Sequence, residues 1–442
     1  MTSPRTAFIL ESCAIVTGDA AGTVLENHSI GVDKRGTIVY VGPADAAPHL
    51  PGARRINLHG KFVLPGLINA HAHLFSDGKP LHPALTSERG GAIAATVFNT
   101  LPGRALMRKR TKANILTQLN SGVTGLRSLG DPGYEVAEAR EAIEAGEYVG
   151  PRILASGPLL AATGGHGVPQ IALVNDSPWE GRRNVRQNLR NGATCIKIAA
   201  TGGVTDARSL GEAGRPQLTE EEMAAICDEA HEAGVIVAAH AQGEVGVTAA
   251  LKAGVDTIEH GCPLTSEMVE LFKNNPRSLR GYSALVPTLI PALPLARLDT
   301  EVTKVNDVVK QNGIAIFEGM LDGLRTALAE GVVIGTGTDS ACTYVTHYSL
   351  WRELDYLVRF GGMTPAQALH AATQTNAEIL GWGEITGRVE EGFAADLVVV
   401  DANPLESFRN LSAPHMVITR GHLIEEPAFE TLDELDAVLD GI

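Results

Sequence analysis

The feature that most constrains the fold is an alternation of short apolar runs with longer stretches of helical period, which begins near residue 65. Eight runs have the length and β-branched content of buried strands, and they are Leu67–His73, Val123–Leu129, Arg152–Ser156, Cys195–Ala199, Val235–His240, Thr257–His260, Ala284–Leu289 and Val332–Thr338. The stretches with helical spacing are residues 103–120, 134–145, 179–191, 219–233, 244–253, 265–274, 302–329 and 364–380, where Thr364 is the expected N-cap. Eight βα units in series predict an α/β fold, a closed parallel (β/α)8 TIM barrel. An open doubly wound sheet is the alternative, but the glycine-rich phosphate turn typical of it does not follow the first run.

At both ends of the chain, strand-like runs follow one another without the intervening helical stretches. In the first 64 residues, strand-length runs separated by turn signals are Ala7–Ile15, Ser29–Val32, Thr37–Val41 and Arg54–Leu58. Near the other end, strand-like runs are Gly387–Glu390, Asp396–Asp401 and Met416–Arg420, followed by a tail or short helix. We therefore predict that residues 1–64 and 385–442 together form a small β-sandwich, and that residues 65–384 form the barrel.

Composition limits the partners and the compartment. The net charge of −15 opposes binding to a phosphate backbone, so no nucleic-acid partner is expected. The five cysteines have no paired spacing, which is typical of a reducing compartment. Neither a signal peptide nor an apolar run long enough to span a membrane is evident. We expect a cytoplasmic protein with a small-molecule substrate, no membrane partner and a homo-oligomeric state.

Residues that can bind a metal ion are concentrated on the predicted barrel strands. They are His71 and His73 after strand one, Lys197 on strand four, His240 after strand five, His260 after strand six and Asp339 after strand eight. In a parallel barrel the carboxyl ends of the strands form one mouth. Each residue alone has an ordinary structural explanation, such as a helix N-cap for Asp339. Their joint placement at one mouth favours a metal site, and two imidazoles at i and i+2 suit zinc.

This pattern resembles the amidohydrolase superfamily. Its signature is His-x-His after strand one, a lysine on strand four, histidines after strands five and six, and an aspartate after strand eight. The likeness extends over nearly the whole chain, including Val-Leu-Pro-Gly-Leu-Ile-Asn-Ala-His-Ala-His at 63–73 and Gly-Phe-Ala-Ala-Asp-Leu-Val-Val-Val at 392–400. Ile-Lys-Ile-Ala-Ala-Thr-Gly-Gly-Val at 196–204 and Gly-Gly-His-Gly at 164–167 are most similar to the branch of prolidase-like dipeptidases, carboxypeptidases that release arginine or lysine, and ochratoxin-type amidases.

The resemblance implies a two-metal centre with a modified lysine. Burial lowers the pKa of an amine, and the neutral amine of Lys197 can then add carbon dioxide to form a carbamate that bridges two divalent ions, expected to be zinc. One ion takes His71, His73 and Asp339, and the other takes His240 and His260. Hydroxide held between the ions attacks the substrate carbonyl, and Asp339 acts as general base and then as general acid. The expected catalytic residues are thus Asp339 and Lys197.

Four further residues are candidates for substrate binding. His166 either holds a substrate carboxylate or carbonyl or orders its glycine-rich loop. Tyr344 and His347, just past strand eight, either line the pocket or are ordinary loop residues. Arg127, on strand two, either binds substrate or pairs structurally. The expected reaction is hydrolysis of an amide bond in a dipeptide or an N-acyl amino acid.

Three other functions remain open at this point. A mononuclear deaminase or imidazolonepropionase-like hydrolase of cyclic amides commonly has a Glu three residues after the strand-five histidine, where this chain has Gly243. A lactonase or phosphotriesterase shares the ligand set, and xenobiotic amides or carbamates are further substrates. A non-catalytic barrel that serves as an assembly subunit typically loses metal ligands, whereas all of them are present here.

Overall fold

The computed structural model describes residues 5–79, 88–98 and 100–442 and consists of α/β structure. Its strands are β1 Phe8–Val16, β2 Val24–Val32, β3 Ile38–Pro43, β4 Arg54–Asn57, β5 Phe62–Pro65, β6 Leu67–Ala72, β7 Val123–Ser128, β8 Arg152–Ala155, β9 Leu159–Ala161, β10 Ala172–Val174, β11 Ile196–Ala199, β12 Val237–Ala241, β13 Thr257–His260, β14 Ala284–Val286, β15 Leu397–Val400, β16 Met416–Thr419 and β17 His422–Ile424. Its α-helices are α1 Glu88–Phe98, α2 Leu101–Asn120, α3 Glu135–Glu144, α4 Pro178–Arg190, α5 Glu220–Glu232, α6 Glu244–Ala253, α7 Ser266–Lys273, α8 Leu289–Arg297, α9 Thr300–Thr303, α10 Asp307–Glu330, α11 Leu350–Arg359, α12 Pro365–His370, α13 Asn376–Ile379 and α14 Asp433–Leu439. Single turns of 3₁₀-helix at Ala44–Ala46 and Phe408–Leu411 and of π-helix at Ala371–Thr375 complete the helical segments.

Strands from the two ends of the chain pair into one mixed sheet. Its order is β17-β16-β15-β5-β1-β2-β3, and β4 also pairs with β1. The contact between the two ends is the antiparallel pair of β5 and β15, in which Val63 lies opposite Val399. Both residues belong to an apolar cluster that also includes Phe8, Ile15 and Ile418. The sandwich of two facing layers and the three-part division of the chain stay predictions.

The remaining strands are parallel and follow one another in chain order, except that β10 lies at the sheet edge beside β9. They form one sheet ordered β6-β7-β8 and a second ordered β10-β9-β11-β12-β13-β14. A hydrogen bond from Thr194 N to Ala155 O, 2.8 Å long, connects the two sheets next to β8 and β11. Seven of the eight predicted barrel runs are confirmed as strands, with ends shifted by at most a few residues.

The eighth predicted barrel strand, Val332–Thr338, is not a regular strand. This segment has one isolated parallel bridge, from Ile334 to Leu285 of β14, and a second one follows just after it, from Ser340 to Ala72 of β6. The amide of Asn376 explains the irregularity, because it accepts from Thr336 N at 3.1 Å and donates to Thr336 O at 2.8 Å. A side chain therefore takes the place of a strand neighbour at Thr336 N, and it shares Thr336 O with Ala70 N of β6. The segment nevertheless lies between β14 and β6.

Other predicted elements differ in detail. The helix predicted at 302–329 is divided into α9 and α10, because Lys304 between them adopts a left-handed conformation with φ of 58°. Gly387–Glu390 is not a strand. The elements that were not predicted are β5, β9, β10, β17, α1, α8 and α11. The N-cap at Thr364 is confirmed, and a capping box closes it. Among the described helices, none has the length and apolar character needed to cross a bilayer.

Candidate metal centre

The end of β6 places two histidines on one side of the strand. Side chains at i and i+2 share a face, so His71 and His73 point the same way. Their Nε2 atoms lie 3.2 Å and 2.9 Å from the same oxygen, Asp339 Oδ1. Burial opposes ionisation of Asp339, but the two histidines hold the pKa of this carboxyl well below its usual range. The carboxylate is therefore available as an anionic ligand.

Strand ends with unusual backbone conformations bring in the next ligands. His260 ends β13 with φ of 72°, and Asp339 has φ of 56°. Such positive φ values are uncommon for residues other than glycine and are often kept at functional sites. The ligand atoms of His71, His260 and Asp339 all lie within 4.8 Å of one another, and all three residues are buried. This group could hold a metal ion.

His240 extends the cluster from the end of β12. Its ring centroid lies 4.6 Å from that of His260. Its Nε2 lies 3.1 Å from Gly202 O, which fixes the proton on that nitrogen and leaves Nδ1 as the ligand atom. Burial, together with neighbouring cationic groups, lowers the pKa of both His240 and His260 well below the ordinary value. Neutral imidazole is the form that binds a metal.

Lys197 lies in β11 with its amine enclosed in the protein. The residue is 2% exposed, and Nζ has no hydrogen-bond partner among the described residues. Burial lowers the pKa of the amine to about 8, and the negative charges of Glu259 and Asp339 only partly oppose this. A buried polar atom without a partner is costly and rare. This amine therefore fits a site that is completed by a group from outside the chain.

Each imidazole nitrogen that faces away from the cluster is held by the protein. His71 Nδ1 lies 2.7 Å from Glu259 Oε2, and His73 Nδ1 lies 2.6 Å from Gly130 O. His260 Nδ1 lies 2.7 Å from the hydroxyl of Thr288. Such outer contacts set the tautomer and the ring orientation of a ligand histidine.

A buried ion pair stands behind His71. Arg127 Nη2 donates to Glu259 Oε1 at 2.8 Å, and both side chains are fully buried. The other nitrogens of Arg127 donate to Ala70 O at 2.6 Å and to Thr257 Oγ1 at 3.0 Å. Burial raises the pKa of Glu259, but Arg127 and His71 outweigh it and lower the value overall. Arg127 therefore pairs within the protein, and its geometry favours the structural one of its two predicted alternatives.

His166 lies beside the cluster and contacts two of its neighbours, His240 and Asp206. Its ring stacks on that of His240 with centroids 4.1 Å apart, and its Nδ1 contacts Asp206 Oδ2. Its side chain is 22% exposed. Both predicted alternatives, substrate binding and ordering of the loop, are compatible with this position.

The polar groups of Tyr344 and His347 contact other groups of the protein. The hydroxyl of Tyr344 donates to Val302 O at 2.9 Å. His347 Nε2 lies 2.6 Å from Ser76 O, and its Nδ1 lies 3.4 Å from Gln118 Nε2. Both residues are buried, and each of these polar groups already has a protein partner. Their geometry favours the structural alternative over substrate binding.

Sequence reasoning missed Glu259, Thr288 and Asp206. A signal for Glu259 was present, because a carboxylate inside the predicted buried strand Thr257–His260 requires a buried partner. Strict strand alternation would also have placed Glu259 and His260 on opposite faces. The positive φ of His260 ends that alternation and lets both residues approach His71.

Comparison with known proteins agrees with this geometry. The model of the amidohydrolase family matches residues 62–424. The chain belongs to the amidohydrolase family. The predicted resemblance is therefore confirmed, and membership of the family implies a TIM-barrel fold and divalent metal ions.

Relatives of this amidohydrolase act on amide bonds. A candidate prolidase from Bifidobacterium longum is 46% identical, with a TM-score of 0.88 and 99% of each chain covered. A Xaa-Pro dipeptidase solved with methionine in its active site is 28% identical, with a TM-score of 0.80 over 95% of this chain and 100% of the other. Ochratoxinase from Aspergillus niger is 29% identical over 92% of this chain and 84% of its own length. The family and these relatives support an enzyme that hydrolyses amide bonds.

Proposed function

We propose that this amidohydrolase cleaves an amide bond of a dipeptide or an N-acyl amino acid at a two-metal centre. The observation that carries the proposal is the partnerless amine of Lys197, enclosed in β11 beside a cluster of histidines and one carboxylate. A mononuclear site has no need for a lysine in this position. The relatives described as a prolidase and a Xaa-Pro dipeptidase support the dipeptide class.

Lys197 is proposed to carry a carbamate. A bond forms between Nζ and the carbon of carbon dioxide, and the nitrogen loses a proton to solvent. The step starts from the neutral amine, so a neutral group is replaced by a carbamate whose single negative charge is shared by two oxygens, and the unpartnered amine is removed. Its two oxygens, together with His71, His73, Asp339, His240 and His260, would hold two divalent ions, with zinc as the expected metal.

The residues of the chain then have separate tasks in the reaction. Bound divalent ions would polarise the scissile carbonyl and acidify water. Asp339 accepts the proton of the attacking water and delivers it to the leaving amine nitrogen, which requires a carboxylate that is ionised at neutral pH. His166, partly exposed beside His240 and held by Asp206, is placed to bind the substrate carboxylate or carbonyl.

The proposed site also requires that the parallel strands close into a barrel. We propose that the eight parallel segments close into a ring, with Val332–Thr338 as the closing member. Two contacts support this closure: Gly335 N donates to Leu285 O at 2.9 Å, and Ala70 N donates to Thr336 O at 3.0 Å. A closed ring directs all strand ends to one mouth, where the metal ligands meet.

The test combines metal content with a substrate screen. We expect about two zinc ions per chain, a mass about 44 Da above the sequence mass at Lys197 under native conditions, and hydrolysis of some member of a panel of dipeptides and N-acyl amino acids. Lys197→Ala should lose at least one ion and most of the turnover. Lys197→Ala with added short-chain carboxylic acid is the control, because a diffusible carboxylate can replace the bridging group.

Three results would contradict the proposal. They are one metal ion per chain in fully active enzyme, undiminished turnover of Lys197→Ala, and activity confined to aminopurines or aminopyrimidines. The last result would favour the deaminase alternative.

A further inference from the structure

A cavity outside the metal centre lies between the terminal sheet and the amino ends of the parallel strands. It has a volume of about 410 Å³, and four of the ten residues that line it are arginines, Arg5, Arg35, Arg152 and Arg420. Its acidic lining residue is Glu384, which is exposed and makes no ion pair within the described part of the chain. We call this site the arginine cavity.

The arginine cavity is remote from the metal centre. Arg152 is the first residue of β8, so it marks the amino end of that strand. The metal ligands stand at the carboxyl ends of the parallel strands. The remaining arginines come from the N-terminal segment and from turns of the terminal sheet. The cavity therefore lies at the opposite end of the parallel strands from the metal ligands and has no part in the proposed hydrolysis.

Two of the four guanidinium groups have no carboxylate partner in residues 5–79, 88–98 and 100–442. Arg35 pairs with Asp33, and Arg152 pairs with Asp396, each through Nε at 3.0 Å. Arg5 donates instead to His422 Nε2 at 3.0 Å and to a backbone carbonyl. Among the described residues, neither Arg5 nor Arg420 forms an ion pair.

Arg420 has the clearest unsatisfied donor. Its Nε is buried without a hydrogen-bond partner in the described structure, and its Nη2 has only a 3.5 Å contact to Pro151 O. Buried cationic donors are normally paired, because their desolvation is costly. An anion in the cavity would supply the missing acceptor.

The backbone holds Arg420 in place at some conformational cost. Arg420 and Gly421 form the two-residue turn between β16 and β17, with φ of 50° and 77°. Asn or Gly is the usual first residue of such a turn, so an arginine there is strained. A Cβ on Gly421 would lie 2.3 Å from Gly36 Cα, which shows how tightly this turn packs on the turn that carries Arg35. The two arginines are thereby fixed beside the same space.

Neighbouring titratable groups report a positive local potential. Burial lowers the pKa of His422, and the charges of Arg5 and Arg420 lower it further. Burial and the charge of Arg152 lower the pKa of Arg420. This concentration of positive charge stands out in a chain with a net charge of −15.

We propose that the arginine cavity binds a multiply charged oxyanion, with a phosphate group as the chemical class. Guanidinium groups match tetrahedral oxyanions because they offer paired, fixed N–H donors. The guanidiniums of Arg5 and Arg420, which form no ion pair among the described residues, supply two positive charges for a dianion, against the one negative charge of Glu384 in the lining. The cavity has room for a phosphate monoester as well as for the free ion.

Calorimetric titration of the metal-loaded protein with inorganic phosphate tests the proposal. Wild type should bind phosphate, and Arg420→Gln and Arg5→Gln should each weaken binding about tenfold or more, because each removes charge-assisted donors. Arg183→Gln, which removes an exposed arginine on α4, is the matched control and should bind like wild type. Turnover should be unchanged in all three variants, since the cavity is remote from the metal centre.

Each outcome has a definite meaning. If phosphate still binds to both Arg420→Gln and Arg5→Gln with the affinity of wild type, the anion binds at the metal centre and the proposal is wrong. The proposal is also wrong if wild type does not bind phosphate at millimolar concentration. Arg5 lies on the surface, so Arg5→Gln remains informative if Arg420→Gln fails to fold. A parallel titration with glycerol phosphate distinguishes the sources: tighter binding than phosphate indicates a monoester, and equal or weaker binding indicates the free ion.

Discussion

At the scale of single residues, the metal centre depends on charges that solvent cannot reach. Arg127, Glu259 and His71 form a continuous chain of contacts in which each side chain is at most 1% exposed. A buried charge is stable only when it is paired, so the members of this chain depend on one another. Glu259 thereby orients His71 without itself being a ligand.

Replacing Glu259 should affect metal binding and folding together. Glu259→Gln keeps the size of the side chain but removes the charge that holds His71 Nδ1–H. We expect metal affinity to fall about 10- to 100-fold. We also expect the free energy of unfolding of the metal-free protein to fall by about 3–5 kcal/mol, because Arg127 loses its counter-charge. Chelator competition measures the first quantity and urea unfolding the second.

A double variant checks that Arg127 and Glu259 act as a pair. Arg127→Met combined with Glu259→Gln leaves no unpaired ion. Its loss of stability should be smaller than the sum of the two single losses. Strictly additive losses would show that the two side chains contribute independently, which contradicts the contact geometry.

His347 should give the stability a pH dependence of known sign. Burial lowers its pKa to about 4, against about 6.5 for an unperturbed histidine. Between these pH values the unfolded state binds more protons, so stability falls as the pH decreases from about 6.5 to 4. His347→Asn should reduce this decline, by up to about 1.4 kcal/mol per pH unit.

Urea unfolding of the metal-free wild type and His347→Asn at pH 5 and pH 7 measures the effect. If wild type and His347→Asn differ in their free energy of unfolding by the same amount at both pH values, a neutral, buried His347 is contradicted. Because its ring nitrogens contact Ser76 O and Gln118, the variant should not change KM specifically.

At the scale of elements, α14 is held by side chains of α11 and the segment before it. Arg352 donates to Asp436 at 3.0 Å and to Asp440 at 2.5 Å, and the hydroxyl of Tyr348 donates to Asp436 at 2.9 Å. Leu435 packs with Tyr344, five residues after Asp339. A helix of this length is not stable alone, so these contacts determine whether it forms.

Removing Arg352 should release α14 selectively. Arg352→Met removes two charged hydrogen bonds that are largely shielded from water, so we expect the free energy of unfolding to fall by about 1–3 kcal/mol. Hydrogen exchange should rise within α14 before it rises elsewhere. Arg186→Met is the control, because Arg186 forms an exposed pair with Glu229 and should cost no more than about 1 kcal/mol. Unchanged exchange in α14 would show that Leu435 and its apolar neighbours suffice.

At the scale of the whole molecule, the terminal sheet and the parallel strands are mechanically connected. β5 lies between β1 and β15 in the sheet, and only Gly66 separates it from β6. Gly66 N donates to Asp396 O at 2.8 Å, so both ends of the chain meet at this connection. Loss of the sheet should therefore reach the histidines of β6.

Weakening the core of the sheet tests this connection. Leu397→Ala removes a fully buried side chain from β15, and we expect it to cost about 2–5 kcal/mol. Hydrogen exchange in the terminal sheet and release of bound metal should shift to the same lower urea midpoint. Leu423→Ala, at the partly exposed edge strand β17, should have a smaller effect. Two separate midpoints for Leu397→Ala would show that the sheet unfolds independently.

Much of the architecture could be predicted from local sequence. Buried parallel strands are recognisable as apolar runs, and seven of the predicted runs are strands. The spacing of His71 and His73 alone placed both side chains on one face. The segment Val332–Thr338 was predicted as a regular strand, but the amide of Asn376 bonds to Thr336 N and shares Thr336 O with β6, which interrupts the regular pairing. No pattern within the segment itself reveals that contact.

The sequence by itself determined which residue types stand at the strand ends, because strand periodicity and the direction of parallel strands are local properties of the chain. Only the tertiary structure decided which of them are enclosed and which are already paired. It assigned Arg127 to Glu259, 132 positions away, and left the amine of Lys197 without a hydrogen-bond partner among the described residues. The physical reason is that the cost of burying a charge depends on the groups around it in space, and those groups come from distant parts of the chain.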